Sequence, residues 1–459
     1  MAEHDAAEVG PAAPQPDRSP PPTRPAHRGA LIALAGSTTV LIVASLAGCA
    51  LGFLDKVACR AGAWNTGFGV YQAHCYTDIY PLYYSEQLAA GKVPYYGHHV
   101  EYPVLIGGAM RLVAWLVHAI TNPYIRGREF FDVTVVLLTL FALVGVLATG
   151  YLAGPGRRWV GLLAALAPAL ILGAFINWDL IAMGLATAGM AAWAARRHVL
   201  AGVLLGLAVA TKFYPVLFFG PLLLLCLRAG RMRAFWVSFG SAAVAWLAVN
   251  LPVMIGATTG WDTFYWMSET RGADWGSIWY FFESRHWPVV GGTNLDSLNR
   301  LSLALFCLAC VAIGALILAA PRRPRVPQVF FLTLATFLMT NKVWSPQYVI
   351  WLVPLVVLAR PRIWSYVLWQ VAEVGYFFAI WSYLLTVVGG PGGIGQDLYF
   401  TALLARFLTV ALLCALVVKD ILRPATDIVR TSGDDDPAGG VLSGAPDRRL
   451  LHAAWRLGS

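Results

Sequence analysis

Charged residues are scarce in this sequence: Asp, Glu, Lys and Arg make up only 12% of its 459 residues. Soluble domains carry about 25% charged residues, so the composition excludes an ordinary soluble fold. Runs of roughly 20 apolar residues recur from Ala30 to Val418, each long enough to cross a hydrocarbon core about 30 Å thick. Short alternating strands of the kind that build membrane barrels are lacking. The sequence therefore predicts an all-α polytopic membrane protein.

Motifs for metals and for phosphate-cradling glycine loops are also missing. The chain contains no HExxH, no paired CxxC and no clustered-aspartate motif apart from Asp434–Asp436 near the C-terminus. We therefore expect no metal site and no cofactor. Internal repeats, which many transporter folds show, are not detectable, and this argues against a lipid or ion transporter.

The basic residues occur as short clusters between the apolar runs. This distribution argues against nucleic-acid binding as the reason for the net charge of +9 and is typical of cytoplasmic loops. Placing these clusters and both termini in the cytosol predicts about twelve spans. The clusters are Arg157–Arg158, Arg196–Arg197, Arg228/Arg231/Arg233, Arg322/Arg323/Arg325, Arg360/Arg362 and Lys419/Arg423. The spans are 30–53, 132–153, 159–176, 178–195, 199–211, 214–227, 234–254, 301–320, 327–341, 347–359, 363–388 and 398–418. The short pair 199–211 and 214–227 fits a hairpin of partial depth.

One apolar segment, 103–120, would reverse every later loop if it crossed the membrane. Read as a helix, it places Ala109, Val113, Leu116, Val117 and Ile120 on one face and Arg111, Trp115 and His118 on the other. This pattern predicts an amphipathic helix lying at the outer interface in contact with membrane lipids. A plain span is the alternative.

Both ends of the chain differ from its centre. Residues 1–29 are rich in proline, and residues 421–459 are polar, so we expect both to be disordered cytoplasmic tails around a membrane domain at 30–420. The motif "LAGC" at 46–49 resembles a lipoprotein processing site, but the apolar run continues beyond it, so we interpret it as part of the first span. Cys59 and Cys75 fall in the first polar loop, where an extracytoplasmic location would permit a disulfide, with two free thiols as the alternative.

With this topology, most unusual polar residues fall on the outer side. The long outer loops are 55–131 and 256–300, and the short outer turns are 177–179, 211–215, 341–348 and 389–397. The inner loops contain little besides arginine. A reaction site is therefore expected to face away from the cytosol. Loop 256–300, rich in tryptophan and tyrosine, is a candidate lid over it.

Asp78 is the leading candidate for a catalytic group. It lies in "HCYTDIYPLYYSEQL" at 74–88, where the four tyrosines of the stretch and Tyr71 just before it surround Asp78. Partial desolvation raises a carboxylate's pKa and makes it a better general base. Helix capping by Thr77 or Asp78 is the competing explanation.

Several basic and polar residues are candidates for binding a phosphate and its sugar. Lys212 in "TKFYP" and Lys342 in "NKVWSPQY" are costly in a membrane unless they reach water or meet an anion. Arg406 lies in the outer half of the last span. The polar groups accompanying them in the same turns are Tyr214, Ser345, Gln347 and Tyr348.

A third group is expected to bind the acceptor or to support the site. Three members also have a local explanation, namely helix capping for Glu101, the N-terminal helix dipole for Asp179, and an ion pair for Glu373 with Lys212, Arg406 or a tyrosine. The group comprises Glu101, Tyr102, Asn177, Trp178, Asp179 and Glu373.

Five stretches in this order resemble the actinobacterial members of glycosyltransferase family 87. They are "YTDIYPLYY", "EYPVL", "NWDLIA", "GLAVATKFYPVL" and "NKVWSPQYVIWLVPL", and the resemblance covers roughly residues 30–420. It implies a GT-C transmembrane helix bundle with interfacial helices in its outer loop. It also implies that the acid of the first outer loop, here Asp78, is the catalytic base.

By this resemblance the protein is a polyprenyl-phosphate-mannose-dependent mannosyltransferase of the cell envelope, acting in the plasma membrane on a lipid-anchored glycan. A decaprenyl-phosphate-arabinose-dependent arabinofuranosyltransferase is the nearest alternative. A transporter or a non-catalytic scaffold would explain the apolar spans but not the basic residues in the outer turns.

Overall fold

A computed structural model describes residues 26–118, 122, 125–286 and 295–448, with side chains placed from Ser37 onward. These residues form helices and no β-strand, which confirms the all-α class. The helices are α1 (Ala26–Asp55), α2 (Val57–Ala61), α3 (Gly69–Gln72), α4 (Ile79–Ser85), α5 (Val104–His118), α6 (Arg126–Leu152), α7 (Val160–Ala165), α8 (Pro168–Gly173), α9 (Asp179–Ala194), α10 (His198–Thr211), α11 (Phe219–Ala229), α12 (Met232–Gly256), α13 (Thr258–Thr270), α14 (Ile278–Ser284), α15 (Leu295–Ala319), α16 (Val326–Thr340), α17 (Val349–Ala359), α18 (Ile363–Val387), α19 (Gln396–Leu422) and α20 (Ile428–Thr431).

Six of the described helices are long and apolar enough to cross a membrane. They are α1 from Ser37 onward, α6, α12, α15, α18 and α19. The remaining predicted spans correspond to shorter apolar helices, and the number twelve stays a prediction. Predicted span 159–176 is divided into α7 and α8 because Pro168 cannot donate the backbone hydrogen bond that would continue the helix.

Helix α5 occupies the segment that did not fit as a span. Its 15 residues reach only about 22 Å, too short to cross squarely. It packs against α6 and α10 and buries Ile106, Met110, Val113 and Val117, while Trp115 is exposed. Leu116, assigned to the apolar face of this helix, is 45% exposed. Ile120 lies outside the described residues.

The C-terminal segment differs from the disordered tail expected at 421–459. Residues 424–448, here called the strap, are ordered and bury Val429, Ala438 and Leu442. The strap's acids pair with arginines of the loops predicted to be cytoplasmic: Asp427 with Arg325, Asp434 with Arg157, Asp435 with Arg322 and Asp447 with Arg228. Opposite charges from distant segments thus order a sequence whose composition alone suggests disorder. The expected N-terminal tail and residues 449–459 lie largely outside the described residues.

Candidate active site

The outer loops and turns predicted from the sequence converge on one cavity of about 780 Å³. Its walls come from the first long loop, the 177–179 and 211–215 turns, helix α13 with the residues after it, the 341–348 turn and one end of α18. Ten of the candidate residues line it: Asp78, Glu101, Tyr102, Asn177, Lys212, Tyr214, Lys342, Ser345, Gln347 and Tyr348. Helices that are distant in sequence therefore bring the acid and both lysines to one site.

Asp78 precedes helix α4 at the N-cap position, but its side chain does not cap the helix. Thr77 performs the capping, because its Oγ1 accepts a hydrogen bond from the Ile79 backbone N–H at 3.2 Å. Tyr76 donates its hydroxyl to Asp78 Oδ1 at 2.7 Å, and the Tyr102 hydroxyl lies 3.5 Å from Oδ2. The carboxylate is consequently free to meet a ligand in the cavity.

The surroundings of Asp78 make it a stronger base than an ordinary carboxylate. Burial raises the pKa of Asp78 to about 6, and the negative charge of Glu101 acts in the same direction. The hydrogen bond from Tyr76 and the positive charge of Lys212 oppose this rise. A carboxylate with this pKa is still ionised at neutral pH and can accept a proton from a hydroxyl.

The segment that leads to Asp78 is fastened at two points. A disulfide joins Cys59 to Cys75, three residues before Asp78. Lys56, fully buried, donates its ammonium to the Tyr76 carbonyl at 3.0 Å. Sequence reasoning missed Lys56, since its place directly after the first span resembles an ordinary interfacial lysine.

Lys212 is held next to the cavity by a buried counter-ion. Its Nζ lies 3.5 Å from Asp179 Oδ1, and Trp351 Nε1 donates to the same oxygen at 2.7 Å. The ammonium also lies 4.8 Å from the ring centroid of Tyr102. Asp179 itself does not line the cavity, so it positions the lysine. Trp178, expected at the site, packs edge-on behind Tyr102 instead.

Two further cations line the cavity wall. Lys342 donates its ammonium to the Glu269 carbonyl at 2.7 Å, and burial lowers the pKa of Lys342. Arg271, which the sequence reasoning had placed only in the candidate lid, donates to Glu101 Oε2 at 3.1 Å. Lys212, Lys342 and Arg271 together could stabilise an anion.

Arg406, expected to bind a phosphate, and Glu373, expected to bind the acceptor or to support the site, do not line the cavity. They form a buried ion pair at 3.0 Å between α19 and α18. Arg406 also donates to the carbonyls of Trp344 at 2.9 Å and Ser345 at 3.2 Å. The expectation that Arg406 binds a phosphate was wrong because the arginine points into the bundle, where it holds the 341–348 turn in place.

Aromatic rings cover much of the remaining wall. Tyr76 stacks on Trp381 with ring centroids 4.6 Å apart, and Tyr348 stacks on Trp351 at 4.0 Å. Such faces stack on sugar rings, and Phe213, Phe337, Leu384 and Val387 add apolar surface suited to a lipid chain. Within the part of the chain that the structure describes, no group of three His, Cys, Asp or Glu residues could hold a metal ion.

A base, three cations, aromatic faces and apolar surface in one cavity suit the transfer of a group from a lipid-linked phosphate to a hydroxyl. A comparison with protein-family models matches residues 102–346 to glycosyltransferase family 87, which is more than half of the chain. The matched range includes the three cations but begins after Asp78. A search of curated proteins gave no match.

Proposed function

The chain belongs to glycosyltransferase family 87, and on this premise we propose that it transfers mannose from a polyprenyl phosphate to a lipid-anchored envelope glycan. The reaction takes place on the extracytoplasmic side of the plasma membrane, and Asp78 is the general base. The observation that carries the proposal is the meeting of Asp78 with Lys212, Lys342 and Arg271 in one cavity of about 780 Å³.

The proposed reaction is a direct displacement at the anomeric carbon. Asp78 removes the proton from an acceptor hydroxyl as its oxygen forms the new bond to that carbon. The bond from the carbon to the phosphate oxygen breaks, and its electron pair leaves with the polyprenyl phosphate. Lys212, Lys342 and Arg271 stabilise the negative charge of the departing phosphate. A single displacement inverts the anomeric configuration.

A lipid-linked donor fits the proposed side of the membrane. Nucleotide-activated sugars are cytosolic and carry several charges, which do not cross a bilayer unaided. The basic clusters predict that the cavity opens away from the cytosol. A sugar on a polyprenyl phosphate can be presented there, with its isoprenoid chain against apolar helices.

The defining assay incubates purified protein with radiolabelled polyprenyl-phosphate mannose or arabinose and envelope glycolipid acceptors. We expect transfer of mannose to a lipid acceptor and its loss in an Asp78→Asn variant. Transfer of arabinose instead would assign the alternative arabinofuranosyltransferase activity. Consumption of a nucleotide sugar, with neither lipid-linked donor used, would contradict the proposal.

The orientation has its own test. A single cysteine replacing Gln72, an exposed residue of the first predicted outer loop, should react in intact cells with a membrane-impermeant thiol reagent. A matched cysteine replacing Arg231, exposed in a predicted cytoplasmic loop, should react only after the cells are permeabilised. The opposite pattern would place the cavity on the cytosolic side and contradict the proposed donor.

A further inference from the structure

Asp274 is a third carboxylate of the cavity wall, after Asp78 and Glu101, and the proposed displacement does not use it. It follows helix α13 in the second long loop. Its backbone N–H donates to the Lys342 carbonyl at 2.8 Å, and its own carbonyl accepts from Ser277 Oγ at 2.8 Å. The main chain of Asp274 is thereby joined to the turn that carries one of the cavity cations.

The backbone after Asp274 is fixed by close packing. A Cβ on Gly276 would lie 2.1 Å from the Trp344 carbonyl oxygen and 2.6 Å from the Tyr376 hydroxyl, so only glycine fits there. Tyr399 donates its hydroxyl to the Trp275 carbonyl. The Asp274 side chain therefore projects from a preorganised loop.

The Asp274 carboxylate has acceptor capacity that the protein leaves unused. It accepts a long hydrogen bond from the Gly276 N–H at 3.4 Å, and the Trp344 N–H is also directed at it. Within the described residues it forms no ion pair, because the nearby Arg271 is bonded to Glu101. An ionised carboxylate can accept about four hydrogen bonds, so oxygen lone pairs remain for a ligand.

The neighbours of Asp274 indicate what that ligand is. Lys342 and Arg271 supply positive charge close by, while Trp275, Tyr348 and Tyr376 supply aromatic surface of the same cavity. Unused acceptors beside aromatic faces suit the hydroxyls of a neutral sugar ring. The adjacent cations select the sugar that is bonded directly to a phosphate, which is the sugar to be transferred.

We propose that Asp274 determines specificity for the donor by accepting hydrogen bonds from adjacent hydroxyls of the transferred sugar. The proposal rests on the function proposed above and deepens it, since it assigns recognition of the sugar to a residue distinct from the base. A carboxylate with unused acceptor capacity is left only partly satisfied when the hydroxyl is missing, and this penalises the wrong sugar.

The test combines substitutions of Asp274 with the removal of single hydroxyls from the donor sugar and compares the resulting kcat/KM values. Whichever polyprenyl-phosphate sugar the wild-type protein uses is compared with its monodeoxy analogues, in wild type, Asp274→Ala and Asp274→Asn. For at least one hydroxyl position, its removal should lower wild-type kcat/KM by about 10- to 100-fold, the range for a hydrogen bond to a charged group. Asp274→Ala should lose a similar factor with the complete donor and nothing further with that analogue.

The Asn variant guards against misfolding, because it keeps the size of the side chain and one acceptor oxygen. It should show a smaller loss with the same non-additive pattern. Asp262→Ala, an exposed acid on α13 that does not line the cavity, should behave as wild type with every donor.

A merely structural role of Asp274 predicts that the substitution and the hydroxyl removal act independently. The proposal would be overturned if the loss of kcat/KM in Asp274→Asn or Asp274→Ala multiplied with the loss caused by every deoxy analogue. Unchanged kcat/KM in the Ala variant would overturn it as well. Failure of the proposed function has a different appearance: wild-type protein would transfer no sugar from either polyprenyl phosphate.

Discussion

At the scale of single residues, the proposed chemistry depends on one carboxylate that the protein keeps available. Asp78 stands where a helix cap is expected, yet Thr77 takes over the capping and Tyr76 orients the acid. The local sequence was compatible with either role, because aspartate and threonine are both good N-cap residues. Only the hydrogen-bond geometry separates the two roles.

Replacing Asp78 by Asn should lower kcat by about 100- to 10,000-fold, the usual contribution of a general base. The free energy of unfolding should be unchanged or slightly larger, because the substitution removes a carboxylate whose charged form is disfavoured by burial. Transfer assays and thermal unfolding measure the two effects. Asp397→Asn, an acid 87% exposed on α19, is the control. Normal turnover in Asp78→Asn would remove Asp78 from the mechanism.

Activity should follow a bell-shaped pH profile. Burial raises the pKa of Asp78 to about 6, so kcat/KM should fall as the pH drops below 6 and the base becomes protonated. Burial lowers the pKa of Lys342, so the alkaline limb should begin below the range of an ordinary lysine. In Lys342→Arg the alkaline limb should move to higher pH. An acid limb near pH 4 would show that Asp78 is not the titrating base.

The raised pKa of Asp78, which favours its proposed action as a base, lowers the stability of the folded protein at neutral pH. Because the folded-state value of about 6 exceeds the ordinary 3.8, the folded protein binds the Asp78 proton more tightly than the unfolded chain does. The contribution of Asp78 to stability therefore decreases as the pH rises from about 4 to 6. The enzyme retains a carboxylate that opposes folding at neutral pH, as expected for a functional group.

At the scale of elements, short connecting segments position the site while long helices enclose it. The 341–348 turn contributes Lys342, Ser345, Gln347 and Tyr348, and Arg406 holds its carbonyls from within the bundle. The sequence indicated that this turn was unusual. It could not indicate whether Arg406 faced the cavity or the bundle, since both directions are open to a residue in the outer half of a span.

The disulfide should matter for the loop that carries Asp78. Replacing both Cys59 and Cys75 by Ser opens a loop with a sequence separation of 16 residues. The expected cost is about 3 kcal/mol, together with lower kcat/KM as the Tyr76–Asp78 segment loosens. Thermal unfolding with and without reductant measures it. The control substitution Cys307→Ser, at an exposed free cysteine, should leave the stability and kcat/KM unchanged. A reductant-insensitive wild type would contradict this role.

At the scale of the whole molecule, the two ends of the bundle have different tasks. One end gathers the proposed catalytic groups, and at the other the strap neutralises arginines from several loops. Arg325 is at the centre of this second region, because it pairs with Asp427 and also donates to the carbonyls of Leu358 and Ala359 at the end of α17. The strap thus ties the helix ends together.

Replacing Asp427 by Ala should destabilise the protein by about 3–5 kcal/mol, because it leaves Arg325 buried without its counter-ion. Asp434→Ala, which removes a partner that is 46% exposed, should cost only about 0–1 kcal/mol. Thermal unfolding of the two purified variants compares them. Equal stability of both would mean that the strap does not fasten the bundle.

The sequence by itself determined the helical class, the approximate positions of the apolar helices and the turns that hold the reactive side chains. These features depend on hydrophobic runs, prolines and charge clusters, which are local along the chain. Only the tertiary structure decided that Arg406 and Asp179 serve as supports, that Arg271 and Asp274 face the cavity, and that the C-terminal acids order a strap. The physical reason is that a side chain's role depends on partners brought near it from distant helices, and no local pattern records which partner it will meet.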